Sequence, residues 1–156
     1  MPDKNWIRPV PQVIVSYYKE RQREWGVTTT YVCDCSYDPP LIMVGLERSG
    51  DCRRIIKMKK ELIVNVVSDE LIEPYKKIRE NKALPLNKLG LETEAGKEVS
   101  APLLTAAPVN FECQIINSVL TGSHEMFVGR IETIQAAENL ITEEGIQFEK
   151  LNFSFE

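Results

Sequence analysis

The stretch Leu41-Ile42-Met43-Val44-Gly45-Leu46 constrains the fold more than any other part of the chain. It is a continuous apolar run of strand length, shorter than a buried helix, with Pro39-Pro40 before it and the Glu47-Arg48-Ser49-Gly50 turn after it. No polar residue alternates within it. The run therefore reads as a strand buried on both faces, at the centre of a sheet.

Its neighbours follow from the same reasoning. Residues 12–18 are rich in β-branched and aromatic side chains, and residues 26–32 carry Val27, three threonines and Tyr31; both read as strands, with the polar segment 19–25 connecting them. After the central strand, Ser49 and Asp51 are helix-capping types. Cys52, Ile55 and Ile56 then recur at helical spacing, with Arg53, Arg54, Lys57, Lys59 and Lys60 on other faces, as in a short basic helix. Residues 62–67 are a further strand. Leu71, Ile72, Tyr75 and Ile78 mark a second helix, which Pro74 either starts or kinks. Residues 83–108 have no clean period and read as an excursion loop with a small helical turn. Beyond it, Phe111, Cys113 and Ile115 alternate with polar residues, and after Thr121-Gly122-Ser123 the run 126–134 is extended again, so the two form a long hairpin. The tail, 145–156, carries Phe148, Phe153 and Phe155 and suits a last edge strand. Six or seven strands with two short helices imply a mainly β protein, an antiparallel barrel with helical decoration. A chain of 156 residues is expected to form it as one domain, 1–156.

Charge narrows the function. Nineteen Lys and Arg against 23 Asp and Glu leave a net charge of −4, which gives no general attraction to nucleic acid or anionic membrane. No apolar run is long enough to span a bilayer or to serve as a secretory signal, so the expectation is a cytoplasmic protein with neither a membrane nor a nucleic-acid partner. Cys33, Cys35, Cys52 and Cys113 are expected as free thiols there. Cys33-x-Cys35 has no second Cys or His pair to complete a zinc site, and no metal is expected. HExxH, P-loop and GxGxxG motifs are absent.

Three segments carry candidate chemistry. Glu47-Arg48-Ser49-Gly50-Asp51-Cys52-Arg53-Arg54 brings guanidinium groups to the start of a helix, where unpaired N–H groups and the helix dipole favour an anion such as a phosphate. The same residues also suit a solvated basic face balanced by Glu47, Asp51 and Glu61. Gly26-Val27-Thr28-Thr29-Thr30-Tyr31 offers hydroxyls and aromatic surface for a planar heterocycle, or simply strand propensity. His124, the only histidine, begins the second strand of the hairpin.

Taken together, Gly26-Val27-Thr28-Thr29-Thr30, Ser36-Tyr37-Asp38-Pro39-Pro40, Leu62-Ile63-Val64-Asn65-Val66, Lys88-Leu89-Gly90-Leu91, Ala101-Pro102-Leu103, Phe111-Glu112-Cys113 and Gly122-Ser123-His124-Glu125-Met126-Phe127-Val128-Gly129 stand in a telling order. That order and spacing resemble the flavin reductase-like proteins of the FMN-binding split-barrel fold, a family that includes flavoredoxin. The resemblance implies that Thr28, Thr29, Thr30, Tyr31 and Cys33 approach the isoalloxazine ring of FMN, and that Arg48, Ser49 and Cys52 sit at its phosphate. Cys52 replaces a threonine common in relatives and is a weaker donor, which shifts the phosphate toward Ser49, Arg53 and the helix amides. His124 matches the family histidine near the open face of the flavin and is the catalytic candidate. The resemblance further implies a homodimer with flavin near its interface. The expected activity is that of a flavin reductase or flavoredoxin-type oxidoreductase taking electrons from NAD(P)H or a protein donor. A non-enzymatic flavin-binding or electron-carrier protein is the alternative.

Overall fold

The computed structural model describes residues 7, 11–19, 24–136 and 140–146. The first strand is β1 (Val13–Lys19), and the Thr-rich segment runs further than its composition implies, as β2 (Glu24–Ser36). The apolar run is β3 (Leu41–Glu47), followed by α1 (Asp51–Lys59) and β4 (Glu61–Val66). A 3-10 turn, Asp69–Leu71, leads into α2 (Ile72–Asn81). Pro74 lies in the first turn of α2, where its missing N–H would have had no intrahelical partner, so it starts the helix without kinking it.

The excursion has structure of its own: β5 (Ala83–Pro85), a 3-10 turn at Leu86–Lys88, and the antiparallel pair β6 (Thr93–Ala95) and β7 (Pro102–Leu104). The hairpin is longer than expected, with β8 (Val109–Leu120) and β9 (His124–Ala136) joined by the turn at residues 121–123. The short pair β10 (Ile141–Thr142) and β11 (Gly145–Ile146) follows. The edge strand expected over 145–156, with its three phenylalanines, lies beyond Ile146 outside the described residues.

The strands hydrogen-bond in the order β1-β4-β8-β9-β3-β2-β5, and because β1 also pairs with β2 the first six close into an antiparallel barrel. Period-2 alternation sends Val13, Val15 and Tyr17, then Ile42, Val44 and Leu46, then Leu62, Val64, Cys113 and Phe127 into its interior. Cys52 and Ile56 of α1 join that same cluster. On the outside of β1, Ile14 packs with Tyr75 and Ile78 of α2 and with Leu86 and Leu104 of the excursion. Each fully buried aliphatic side chain contributes about 1.5–3 kcal/mol, so these two clusters dominate the stability.

Buried polar groups fix the far half of the excursion. Asn65 donates to the Ile14 carbonyl (2.9 Å) and to Ser16 Oγ (3.1 Å), while its Oδ1 accepts from the Leu104 N–H (3.0 Å) and from Asn110 Nδ2 (2.7 Å). The Glu112 carboxylate accepts from the N–H groups of Glu98 (2.8 Å) and Val99 (3.2 Å) and from Gln135. Burial raises the affinity of Glu112 for its proton, but these donors outweigh it and hold the carboxyl below its usual range. With the Ser100 N–H on Glu61 Oε1 (3.0 Å), these bonds tie the strap around 96–101 to β4 and β8.

Central placement of β3, between β2 and β9, agrees with the sequence. Burial on both of its faces does not. Ile42, Val44 and Leu46 are buried in the barrel, whereas Leu41 and Met43 on the outer face are only half covered. The run is apolar throughout because that outer face belongs to a wider apolar surface, which reaches Val119, 55% exposed, on β8.

Candidate functional site

Strand register builds this surface. Tyr31, Gly45, Met126 and Val119 form one row across β2, β3, β9 and β8; Cys33, Met43, Val128 and Asn117 form the next. A Cβ on Gly45 would lie 2.8 Å from Tyr31 Cζ and 2.9 Å from Met126 Sδ, so only glycine lets the Tyr31 ring lie down on β3. Its hydroxyl points to Met126 Sδ at 3.8 Å. Partial burial, with the neighbouring Cys33 thiol second, raises the Tyr31 pKa above its ordinary value, so the phenol stays neutral near neutral pH.

His124 edges the shelf. Its ring centroid lies 5.4 Å from that of Tyr31, tilted by 52°. Nδ1 shares a 2.7 Å hydrogen bond with Ser123 Oγ, which leaves Nε2 for a ligand. The residue directly opposite on β3 is Glu47, whose carboxylate lies 3.5 Å from Lys82 Nζ.

Beside the shelf, the loop from β3 to α1 carries exposed Arg48 and Ser49. Helix α1 begins after Gly50 without a side-chain cap, so the positive end of its dipole favours an anion there, and the Cys52 and Arg53 N–H groups lie within reach of the Cys52 sulfur. The loop is stitched to the turn of the hairpin: Arg48 N–H donates to the Ser123 carbonyl (3.0 Å), and Arg48 Nη1 donates to the Gly122 carbonyl (3.3 Å). Arg53 Nε donates to the Arg48 carbonyl (3.0 Å), and Arg53 Nη1 donates to Glu125 Oε1 (2.6 Å). Both guanidinium groups expected at a phosphate thus already engage the protein. Ser49 is exposed on the same loop.

The remaining residues singled out from sequence fall into two groups. Tyr31 and Cys33 face outward with His124. Thr28 and Thr30 lie opposite Val15 and Val13 and share their inward side; Thr28 Oγ1 donates to the Lys82 carbonyl (2.7 Å), and the Thr30 hydroxyl bonds to the Gly45 carbonyl. Cys52 is buried beside Thr28, and that burial pushes its thiol pKa up. Thr28, Thr30 and Cys52 are therefore placed beneath the shelf. Thr29 contributes its backbone, paired with Ile14.

Sequence reasoning missed Gly45, Met126 and Glu125. Alternation along β9 could have put Met126 on the face of His124, and an acidic residue at an inward position of an apolar strand could have singled out Glu125. Among the described residues, no group of three or more His, Cys, Asp or Glu is arranged to hold a metal ion. No described helix is long and apolar enough to cross a membrane.

Comparison with known proteins bears on the fold and the family. The chain is 28% identical over 110 residues to an FMN reductase (NADH), RutF, of Acinetobacter baylyi, which covers 70% of this chain and 58% of the relative. It spans about three fifths of the length of the curated relatives first matched. Among solved structures, a protein from Shewanella frigidimarina with a split-barrel domain superposes with a TM-score of 0.83 at 14% identity, covering 95% of this chain and 78% of that one. Flavoredoxin from Methanosarcina acetivorans superposes with a TM-score of 0.77 at 17% identity, over 100% and 89% of the two chains. These likenesses identify the barrel as a split barrel. The model of the flavin reductase like domain matches residues 8–151, and the chain belongs to that family.

Proposed function

We propose that this protein, as a single domain over 1–156, binds FMN and works as a flavin reductase, passing electrons from NAD(P)H to an acceptor. One observation carries the reading: an apolar shelf, in which the Tyr31 ring and Met126 lie over Gly45, sits next to an uncapped helix start with exposed Ser49 and Arg48. A planar ring with a phosphate tail needs those two surfaces side by side. Membership of the flavin reductase like family and a relative named as an NADH-dependent FMN reductase support the same conclusion.

Bound flavin would supply the hydride-accepting chemistry, while the chain supplies position and electrostatics. Tyr31, Met126 and Cys33 would border the ring, with the Thr30 hydroxyl fixing the Gly45 carbonyl beneath it. Ser49, Arg48 and the first amides of α1 would hold the phosphate. His124, held through Nδ1, would present Nε2 to a nicotinamide over the shelf and stabilise negative charge there. The apolar surface continuing to Val119 suits a second copy of the chain, so the working unit is a homodimer in which each subunit helps cover the other's ring. Four free thiols, two of them exposed, fit a reducing cytoplasm.

The test is titration of the purified protein with FMN and riboflavin, followed by anaerobic addition of NADH or NADPH. Preference for FMN and loss of flavin absorbance on addition of a nicotinamide support the reading. Equal affinity for riboflavin would remove the phosphate cradle. Bound flavin that neither nicotinamide reduces would favour the electron-carrier or flavin-binding alternative.

A further inference from the structure

The Glu125 carboxylate is a charge that the proposed chemistry does not use. It sits on β9 directly after His124, 1% exposed, at a position paired with Leu46 of the core. Its two oxygens have different partners. Oε1 accepts from Arg53 Nη1 at 2.6 Å. Oε2 accepts from Ser118 Oγ of β8 at 2.7 Å and lies 2.9 Å from Lys57 Nζ of α1. Arg53 is the only one of these partners that reaches onward: with Nη1 on Glu125, its Nε donates to the Arg48 carbonyl at 3.0 Å. A guanidinium can do both at once because its N–H groups project from a rigid planar fork. The chain of contacts runs from a buried carboxylate, through a partly exposed guanidinium, to the backbone of the loop that carries Arg48 and Ser49.

We infer that Glu125 is a positioning residue for the phosphate of FMN, acting through Arg53 to set the shape of the Arg48-Ser49 loop. The inference rests on the phosphate reading above. It also assigns Arg53 a new role: with one edge on Glu125 and the other on Arg48, Arg53 orders the loop and is not itself the main counter-charge. A loop fixed before binding costs less to order when the anion arrives, so the benefit falls on FMN and not on riboflavin, which has no phosphate.

The readout is therefore the ratio of riboflavin to FMN dissociation constants, measured by flavin fluorescence quenching on the apoprotein. A general loss of stability would weaken both ligands together and leave that ratio unmoved. Glu125→Gln should lower the ratio about tenfold. Arg53→Ala, whose side chain is 26% exposed, should lower it equally, and the double variant should lose no more than either single one. Arg53→Lys keeps the charge but not the fork, and should behave as Arg53→Ala does. Lys57→Met, on the other oxygen, should leave the ratio as in wild type.

An unchanged ratio in Glu125→Gln would overturn the inference, and so would a raised one, which would mean that Glu125 competes with phosphate for Arg53. Wild-type discrimination retained in Arg53→Lys would overturn it as well, since charge alone would then suffice. If Glu125→Gln fails to fold, the Arg53 variants decide. A wild-type ratio near one would instead remove the phosphate cradle, and this inference with it, so the two failures are distinguishable.

Discussion

Replacing Glu125 by glutamine tests the electrostatics of the barrel end quantitatively. The hydrogen bond from Ser118 is the largest influence on Glu125 and burial, which opposes it, the second; with Lys57 and Arg53 added, the donors outweigh burial and hold the carboxyl down at about 2, against an ordinary value of 4.5. At about 1.4 kcal/mol per pKa unit, that difference corresponds to roughly 3 kcal/mol. The full figure overstates the effect, because Lys57 is 54% and Arg53 26% exposed and both regain water when the carboxylate is lost. About 2 kcal/mol is expected in the apoprotein at neutral pH, or about 4–8 °C in Tm for a domain of this size. The sign with pH is fixed. A folded-state pKa below the unfolded one stabilises fully above the unfolded value, and the stabilisation fades as pH falls toward the folded value. The gap in urea stability between wild type and Glu125→Gln should thus be constant above about pH 5, more than half closed by about pH 3, and gone near pH 2. Other carboxylates titrate in both proteins and cancel in the difference. A gap that persists unchanged at about pH 3, or no gap at neutral pH, would refute the reasoning.

Gly45→Val should leave the fold intact but weaken FMN at least tenfold, because its branched side chain must push Tyr31 and Met126 off the shelf; thermal unfolding and flavin titration separate the two effects. Wild-type affinity in that variant would show that the ring lies elsewhere. His124→Ala should slow anaerobic flavin reduction by NADH or NADPH while FMN affinity stays within about tenfold, as stopped-flow absorbance will report. Val119→Glu places a charge on the exposed end of the apolar surface and should convert the proposed dimer to a 17.8 kDa species in sedimentation; a wild-type protein that sediments only at that mass with flavin bound would remove the dimer proposal.

Most of the barrel was legible because each strand carries its own signal. Leu41 to Leu46, the alternation around Phe111, and the Thr121-Gly122-Ser123 turn each specify an element by local pattern alone. Residue spacing could not reveal which face of an apolar strand stays open. Met43 and Val44 look alike in sequence, and only the register with β9 and the closure through β1 send one outward and the other inward. The same limit applies to the site. Thr28 and Tyr31 share one motif, yet they lie on opposite sides of the strand. Arg53 reads as a solvent-facing cation until β9, about seventy residues later, brings a buried carboxylate to it. Tyr31 and His124 were visible as residue types; their 5.4 Å approach depends on the absence of a side chain at Gly45 between their strands.

The most direct test of the central claim is a single anaerobic titration of the purified, FMN-loaded protein with NADH and, separately, NADPH, followed through the visible flavin absorbance. The proposed flavin reductase should lose that absorbance in proportion to added nicotinamide with at least one of the two, and regain it when an acceptor is admitted. A protein that holds FMN but keeps its spectrum with both nicotinamides, or one that never takes up FMN, would contradict the account.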